Sequence, residues 1–157
     1  MENNATELYD FTIIVPIFNE KGNLHALEKR LSAYLEACPK HACVMFIDDG
    51  STDGGTRKLE EMCGRHHNFF FREFAENRGL SAALKAGIDA THSEYVGYMD
   101  ADLQTAPEDF DLLLAHIDDY TLVTGVRKDR KDGPFKRLQS RIGNSIRQHY
   151  THDGATS

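Results

Sequence analysis

The chain has 157 residues, of which 40% are hydrophobic and 27% are charged, and its net charge is -7 at pH 7. This length and composition fit one globular domain, which buries roughly 70% of the surface that its unfolded chain would expose. No run approaches the ~20 apolar residues of a membrane span, and the acidic N-terminus lacks the features of a signal peptide. Three cysteines without paired spacing favour reduced thiols over a disulfide framework or a zinc site.

The charge is divided unevenly along the chain. Residues 1–126 hold 10 Lys and Arg against 22 Asp and Glu, whereas residues 127–147 hold 8 basic residues against 2 acidic ones. The basic segment is interpreted either as a solvated helix face or as a site for anions or acidic lipid. The acidic remainder makes nucleic acid a poor candidate partner.

The first predicted strand is Phe11–Val15, a solid apolar run that Pro16 bounds. Residues 1–10 before it are expected to form an N-terminal arm that packs loosely. A helix follows, because leucines recur at helical spacing until Cys38-Pro39 interrupts the pattern: Leu24, Leu27, Leu31 and Leu35.

A second buried strand, Val44–Ile47, runs directly into the acidic turn Asp48–Ser51. Phe69–Phe71 predicts a third strand. Between the turn and that strand, a short helix is predicted from the apolar positions Leu59, Met62 and Cys63.

The turn Asn77-Arg78-Gly79 precedes another predicted helix. Tyr95–Met99 is the fourth predicted strand, and it ends at Asp100-Ala101-Asp102. The helix between them is predicted from apolar positions four residues apart, Leu80, Leu84 and Ile88.

Pro107 opens the next predicted helix, since proline is favoured in the first turn and the acidic residues that follow it suit the helix dipole. A fifth strand is predicted over Tyr120–Thr124, and a basic helix is expected after Pro134. The apolar face of the helix near Pro107 is predicted to hold Phe110, Leu113, Leu114 and Ile117.

Solid apolar strands that alternate with amphipathic helices predict a doubly wound α/β fold, with a mostly parallel sheet covered by helices on both faces. Ligands bind at the carboxyl ends of the strands in such sheets. Polar residues fall at these positions: Asn19 and Glu20 after the first strand, Asp48 and Asp49 after the second, Asp100 and Asp102 after the fourth, and Arg127 after the fifth.

The stretch from Asp100 to Gln104 is the best candidate for a metal site. Alternate residues of an extended segment share a face, so Asp100, Asp102 and Gln104 are expected to converge. Their oxygens suit Mg²⁺ or Mn²⁺, and Mg²⁺ commonly combines one or two carboxylates with the phosphates of a substrate. The alternative interpretation is a polar turn that caps the next helix.

The two other polar turns each have two interpretations. Asp48–Ser51 is either a strand-to-helix turn with a helix cap, or a place where a carboxylate accepts hydrogen bonds from a base or a ribose. Asn77-Arg78-Gly79 is either an anion-binding helix N-terminus or an ordinary cap. No serine has an evident histidine partner, so a hydrolase triad is not supported.

Four motifs, in this order and spacing, resemble those of glycosyltransferase family 2 enzymes with the GT-A fold: Val15–Glu20, Ile47–Asp53, Glu76–Ala83 and Met99–Gln104. The later segments Gly125–Asp132, Phe135–Arg137 and Arg141–Asn144 are similar to the polyprenyl-phosphate branch of that family. This branch includes dolichyl-phosphate mannose synthase and bacterial undecaprenyl-phosphate sugar transferases. The resemblance covers residues 11 to about 150.

The resemblance implies a role for each matched residue. Asp100, Asp102 and Gln104 would carry Mg²⁺ or Mn²⁺ on the donor diphosphate. Asp102 and Arg127 would be catalytic, with Arg127 facing the donor phosphate. The residues expected to bind the donor are Pro16, Phe18, Glu20, Ile47, Asp49, Arg78, Asp100 and Ala101.

The chain departs from the family pattern in three places. Phe18 stands where many relatives have Tyr, which keeps a stacking ring and loses a hydroxyl. Gly54-Gly55-Thr56 carries an extra glycine. Family members continue for another large segment on the acceptor side, so residues 11–157 are expected to form a nucleotide-diphospho-sugar-binding domain without the acceptor portion.

The resemblance implies an inverting, metal-dependent transfer of a sugar from a UDP- or GDP-sugar to polyprenyl phosphate, in the cytoplasm or at the cytoplasmic face of the membrane. The acceptor phosphate is already ionised, so it needs no base. Residues 127–147 would hold that phosphate or contact an anionic bilayer. Two alternatives stay open: a fragment that binds a nucleotide sugar without transferring it, and a family 2 transferase with a saccharide acceptor.

Two further classes are disfavoured. A receiver-like regulatory domain would carry its acid pair after the first strand, whereas the pair here follows the second. A sugar nucleotidyltransferase would carry a glycine-rich basic loop after the first strand, and none is present.

Overall fold

The computed structural model describes residue 6 and residues 8–125. Met1–Val123 form one compact unit, and Thr124–Ser157 form a second, of which only residues 124 and 125 are described. Arg127, the basic segment 127–147 and the helix predicted after Pro134 therefore lie outside the described residues. Within the described part of the chain, no helix is both long enough and apolar enough to cross a membrane.

The described sheet has four strands in the order β3-β2-β1-β4, and every pairing is parallel. The predicted parallel sheet is confirmed. The strands are β1 (Phe11–Ile17), β2 (Ala42–Asp48), β3 (Phe69–Glu73) and β4 (Tyr95–Tyr98).

Strand β1 continues through Pro16, where the sequence predicted its end. The carbonyl of Ile14 accepts a hydrogen bond from the peptide nitrogen of Met99 on the β4 side, and that of Ile17 accepts one from Asp49 on the β2 side. The backbone groups of successive residues in a strand point to opposite neighbouring strands. Pro16, two residues after Ile14, therefore faces the β4 side. Strand β4 ends at Tyr98, so no residue of β4 lies beside Pro16 to accept a hydrogen bond from its backbone nitrogen. Proline, which has no N–H group, is therefore tolerated at this position.

Helices cover both faces of the sheet, as predicted. They are α1 (Leu24–Ala37), α2 (Gly55–Arg65), α3 (Leu80–Ala90) and α4 (Asp109–Leu114). One face of β1 and β2, which includes Ile13, Val15 and Phe46, packs with α1, α2 and α4 in the larger core cluster. The other face, with Ile14 and Ile47, packs beneath α3.

Helix α3 forms where the sequence predicted it, but of the predicted apolar positions only Leu84 packs against the core. Leu80 and Ile88 are 51% and 56% exposed, whereas Ala83 and Gly87 face the sheet. A Cβ on Gly87 would lie 2.6 Å from Cγ2 of Ile14, so the helix sits closer to β1 than larger residues would allow. Small residues therefore decide which side of this helix is covered.

The predicted fifth strand is wrong. Residues 120–124 form no strand, and the side chain of Leu122 is 80% exposed. A strand forms only where a neighbour accepts and donates its ladder hydrogen bonds. In the described residues β4 pairs with β1 alone, so the apolar run at 120–124 makes no ladder with its outer edge.

The expectation of a loose N-terminal arm is wrong for Thr6 and Tyr9. Both are buried. The Thr6 hydroxyl accepts a hydrogen bond of 3.0 Å from the peptide nitrogen of His92, and the Tyr9 ring stacks on His41. Polar and aromatic contacts at the amino ends of the strands hold this part of the arm.

The three cysteines are free, as expected. Burial raises the pKa of the Cys43 thiol to about 11 despite its hydrogen bond with Thr12. Burial and the negative charge of Glu28 raise the pKa of Cys63 to about 12. Both groups are therefore neutral thiols at pH 7 and poor nucleophiles.

Candidate functional site

A cleft of about 340 Å³ opens at the carboxyl ends of β1 and β4. The strand order changes direction here, because β2 and β3 lie on one side of β1 and β4 lies on the other. Open α/β sheets bind ligands at such a switch point. The residues that line the cleft are Pro16, Ile17, Phe18, Glu20, Asp49, Asn77, Gly79, Leu80, Asp100, Ala101 and Asp102.

The loop after β1 brings Phe18 and Glu20 to the cleft. Asn19 between them adopts a left-handed backbone with φ of 57°. Its peptide nitrogen donates to the Ser51 hydroxyl at 3.0 Å, and its side-chain oxygen accepts from the peptide nitrogen of Thr52 at 2.8 Å. The loops after β1 and β2 are therefore joined, and Phe18 keeps its exposed ring on a fixed backbone.

The adjacent carboxylates Asp48 and Asp49 are both buried but bind different elements. Asp48 accepts hydrogen bonds from the peptide nitrogen of Ser51 at 3.0 Å and from the Thr56 hydroxyl at 2.5 Å, at the start of α2. Asp49 accepts bonds from the peptide nitrogens of Arg78 and Gly79 at 2.7 and 2.9 Å, at the start of α3. Neighbouring residues of a strand point to opposite faces, so the two aspartates serve the helices on opposite sides.

This arrangement shows what holds the turn Asn77-Arg78-Gly79 in place. The anion at the N-terminus of α3 is the carboxylate of Asp49, which belongs to the chain itself. The Arg78 guanidinium lies over the Phe74 ring, 5.0 Å from its centroid, and Arg78 is not among the residues that line the cleft. Asp49 thus ties the turn before α3 to the end of β2, and both interpretations of the turn remain predictions.

Gly50 lets the loop after β2 approach the turn before α3. Its φ is +71°, and a Cβ there would lie 2.6 Å from the peptide nitrogen of Asn77. Only glycine combines this backbone conformation with so close an approach. Asp49 and Asn77 therefore reach the same cleft.

Asp100 and Asp102 both line the cleft, but they do not reach it as alternate residues of a strand. Strand β4 ends at Tyr98, and Leu103 has a left-handed φ of 61°. The Asp102 carboxylate accepts a hydrogen bond of 3.0 Å from the peptide nitrogen of Gln104, which closes a turn over Leu103. The extended-strand argument for Gln104 is wrong for this reason, and Gln104 is not among the residues that line the cleft.

Tyr98 supports Asp100 from the end of β4. Its phenol donates a hydrogen bond to Oδ1 of Asp100. Burial, this hydrogen bond and the negative charges of Asp100 and Asp102 raise the pKa of Tyr98 well above its ordinary value. The phenol therefore stays protonated and acts as a donor, which fixes one carboxylate oxygen of Asp100 and leaves the other available.

The donor set at Asp100 and Asp102 fits a hard divalent cation that a substrate also binds. Among residues 6 and 8–125, no three His, Cys, Asp or Glu side chains come together as a metal site of their own. Two carboxylates in one cleft are, however, what Mg²⁺ uses when phosphate oxygens and water complete its shell. Mn²⁺ accepts the same oxygen donors.

Ile47 is a predicted donor-binding residue that, like Arg78, does not line the cleft. Its side chain is fully buried in the cluster beneath α3, with Ile14, Met45 and Ala83. It lies one residue before the acidic pair and faces α3, so its side chain does not reach the cleft. Asp49 is the residue from this end of β2 that does.

The structure brings together seven of the predicted site residues and adds four that the sequence did not assign. The added residues are Ile17, Asn77, Gly79 and Leu80. Three of these belong to the motif Glu76–Ala83, which was the available signal. The seven predicted residues are Pro16, Phe18, Glu20, Asp49, Asp100, Ala101 and Asp102.

Comparison with protein families gives one match that covers nearly the whole chain. The model of glycosyl transferase family 2 matches residues 12–156. The match includes every residue that lines the cleft.

Two similar proteins of known function are polyprenyl-phosphate sugar transferases by name. A dodecaprenyl-phosphate galacturonate synthase of Rhizobium johnstonii is 33% identical over 139 residues, which are 86% of this chain and 41% of that protein. An undecaprenyl-phosphate 4-deoxy-4-formamido-L-arabinose transferase of Aeromonas hydrophila is 30% identical over 150 residues, 94% of this chain and 46% of that protein. The chain thus spans less than half the length of these relatives.

Solved structures share the fold. The mannosyltransferase PcManGT from Pyrobaculum calidifontis, in complex with GDP-Man and Mn²⁺, has a TM-score of 0.63 and 27% identity over 76% of this chain and 36% of that one. S. aureus TarS 1–349, in complex with UDP-GlcNAc, has a TM-score of 0.58 and 21% identity over 79% of this chain and 37% of that one. The second similarity concerns the fold alone.

Proposed function

The chain belongs to glycosyltransferase family 2, and we propose that it binds a UDP- or GDP-sugar with a divalent cation in the cleft, for transfer of the sugar to polyprenyl phosphate. The observation that carries this proposal is that Asp100 and Asp102 line the same cleft as Phe18 and Glu20. The exposed ring can stack on the base at one end of a nucleoside diphosphate, and the two carboxylates can hold a cation on the diphosphate at the other end. The names of the two polyprenyl-phosphate relatives support the acceptor class.

The charge of the cleft is the reason for a cation. Glu20, Asp49, Asp100 and Asp102 all line it. Each like-charged pair at 4 Å costs about 1 kcal/mol in water and about 4 kcal/mol at an effective dielectric of 20, so a bare diphosphate would be repelled. Bound Mg²⁺ or Mn²⁺ would neutralise the diphosphate and stabilise the charge of the departing nucleotide. Asp100 and Asp102 would hold it, and Gln104 and Arg127 remain proposed as a further ligand and a phosphate contact.

The nucleoside would lie on the Phe18 side of the cleft. The Phe18 ring is 45% exposed and can stack on a base, while Glu20 and Asp49 offer carboxylate oxygens to base or ribose donors. The two Asp49 oxygens already accept peptide N–H groups, so its orientation is set before a ligand arrives. Each oxygen retains a second lone pair for a ligand.

The transfer itself would be a direct displacement. An oxygen of the acceptor phosphate forms a bond to the anomeric carbon, the bond from that carbon to the diphosphate oxygen breaks, and the nucleoside diphosphate leaves with the electron pair. The configuration at the carbon is inverted. The acceptor phosphate is ionised near pH 7, so no residue has to remove a proton. The basic segment 127–147 would hold this phosphate or an anionic membrane surface, at the cytoplasmic face.

The test is isothermal calorimetry of the chain with UDP and with GDP, each with and without Mn²⁺. We expect Mn²⁺-dependent binding of one nucleotide, and its loss in Asp102→Asn. The matched control is Asp89→Asn, because Asp89 lies at the far end of α3 and is paired on the surface with Lys85. The donor-site assignment is wrong if neither nucleotide binds with Mn²⁺, or if Asp102→Asn binds as the control does.

A binding module without transfer activity is the second candidate. It is favoured by the cleft, in which Phe18, Glu20, Asp49, Asp100 and Asp102 are all assigned to the donor and its cation and none to an acceptor. A turnover assay with UDP- and GDP-sugars and a polyprenyl phosphate, run beside the calorimetry, separates the two. Binding with turnover supports the transferase, and binding without turnover supports the module.

A further inference from the structure

Arg30 on α1 contacts the loop that carries Asp102, although the two are far apart in sequence. Its Nη1 donates a hydrogen bond of 3.3 Å to the carbonyl oxygen of Leu103, 73 residues away along the chain. Its Nη2 lies 3.7 Å from a carboxylate oxygen of Glu108, beyond the same loop. Arg30 is not among the residues that line the cleft.

The Leu103 carbonyl belongs to the residue that determines where Asp102 points. Leu103 is the centre of the turn that the Asp102 carboxylate closes on the peptide nitrogen of Gln104. Its φ of 61° is a left-handed conformation that residues other than glycine, asparagine and aspartate rarely adopt. Such a conformation persists only where the surroundings hold it.

Two contacts of Leu103 hold the turn in place. The Leu103 side chain packs against the larger core cluster. Its carbonyl is held by Arg30. Without the guanidinium, the peptide after Leu103 would lose the side-chain hydrogen bond that holds it, and the Asp102 carboxylate, which closes the same turn, would be held less firmly.

We propose that Arg30 is a positioning residue for the divalent cation, acting through the Leu103 carbonyl on the Asp102 carboxylate. This inference rests on the proposed function. The ion pair of Arg30 with Glu108 is a secondary contact, because side chains that are 36% and 62% exposed gain little from pairing in water. The carbonyl contact is the one that fixes the turn.

The test uses the full chain and compares Arg30→Gln with the wild type. Mn²⁺ is titrated in the presence of GDP and of UDP, and free Mn²⁺ is measured by its electron paramagnetic resonance signal. Loss of a group that orients a metal ligand commonly weakens metal binding 10–100-fold, and for this indirect contact we expect about tenfold. The far-UV circular dichroism of the metal-free variant should stay unchanged, which a general loss of structure would not allow.

Three further variants sharpen the result. Arg57→Gln is the matched control, since Arg57 pairs with Glu61 on the surface of α2. Glu108→Gln removes the secondary contact and is expected to keep the wild-type affinity for Mn²⁺. Arg30→Lys keeps the charge but lacks the planar guanidinium, so its affinity for Mn²⁺ should lie between those of the wild type and Arg30→Gln. It replaces the Gln variant if that one does not fold.

The outcomes separate this inference from the proposed function. If the wild type shows no Mn²⁺-dependent nucleotide binding, the proposed function fails and the inference with it. If the wild type binds and Arg30→Gln binds equally well, only the role of Arg30 is overturned. If Glu108→Gln weakens Mn²⁺ binding as much as Arg30→Gln does, the proposed action through Leu103 is overturned.

Discussion

The carboxylate of Asp49 accepts a hydrogen bond of 2.9 Å from the peptide nitrogen of Gly79, the residue that caps the start of α3. A buried side chain from the end of β2 thereby supplies the anion that the N-terminus of α3 favours. The same contact sets the distance between the loop after β2 and the turn before α3, both of which line the cleft.

We expect Asp49→Asn to lower the free energy of unfolding by about 1–3 kcal/mol. The amide has one acceptor oxygen for two peptide donors, and its NH₂ group would face one of them in a site that is 4% exposed. Urea unfolding at pH 7, followed by circular dichroism, measures the change. Asp89→Asn, an exposed aspartate on the same helix, should shift the free energy by no more than about 0.5 kcal/mol. Equal shifts in the two variants would show that the cap does not stabilise the fold.

Gly50→Ala should destabilise the chain by more than about 2 kcal/mol. The new methyl group would meet the backbone of Asn77, and alanine is strained at a φ of +71°. Gly64→Ala is the opposite case, because Gly64 lies in α2 with open space around it. Alanine there should stabilise by about 0.5–1 kcal/mol. Thermal unfolding of the two variants, measured in parallel, tests whether Gly50→Ala lowers the midpoint temperature and Gly64→Ala raises it. A Gly50→Ala variant as stable as the wild type would contradict the close approach of the two loops.

Phe18→Ala should weaken nucleotide binding, whereas Phe18→Tyr should preserve it. Stacking of a base on an aromatic side chain is worth about 1–3 kcal/mol by alanine substitution, which is roughly 5- to 150-fold in affinity. The tyrosine variant keeps the ring. Calorimetry with UDP and GDP in the presence of Mn²⁺ measures both, with Leu112→Ala as a control at an exposed apolar residue of α4. An unchanged affinity in Phe18→Ala would place the base elsewhere.

The stability of the chain should fall at acidic pH in part through Glu28. Burial raises its pKa, but hydrogen bonds from Arg65 and His66 and their charges outweigh burial and hold the pKa below its ordinary value of 4.5. A lowered pKa means that the folded state binds the proton less tightly than the unfolded state does. The stabilisation is therefore complete above about pH 4.5 and is lost as the pH falls through the lower, folded-state pKa.

The variant Glu28→Gln tests this pH dependence. It should destabilise the chain at pH 7 by about 1–3 kcal/mol, because charge-assisted bonds to Arg65 and His66 become weaker. The difference from the wild type should shrink between pH 5 and pH 3. Urea unfolding across that range, with the exposed Glu61→Gln as control, measures it. A constant difference over the whole range would rule out the ionised carboxylate as its source.

Reversal of two charges in the basic segment should impair transfer and spare donor binding. Arg130→Glu with Lys131→Glu should reduce polyprenyl-phosphate transfer, because a phosphate acceptor is repelled by added carboxylates. The control is Lys29→Glu with Arg57→Glu, an equal change of charge on α1 and α2. A transfer assay is read beside nucleotide calorimetry. Unchanged transfer in the first pair would remove the basic segment from the acceptor site.

The sequence by itself determined the elements of this fold and the end of the sheet at which its polar residues collect. The runs Phe11–Val15 and Val44–Ile47 are solidly apolar because parallel strands are buried on both faces, and the leucines of α1 repeat with the period of a helix. These are properties of neighbouring residues, so they can be read without knowing what packs against them. They also placed Asp49, Asp100 and Asp102 after strands, and therefore at one edge.

Only the tertiary structure decided what each of those residues contacts. Ile47 packs in the core beneath α3, and Asp49 binds the start of that helix. The chain leaves β4 after Tyr98 and forms a turn at Leu103, whose carbonyl Arg30 contacts from α1. The run at 120–124 looked like a strand but has no pairing partner in the described sheet. In each case the deciding contact joins residues 29 to 73 positions apart or depends on strand order, and local spacing carries no information about such contacts.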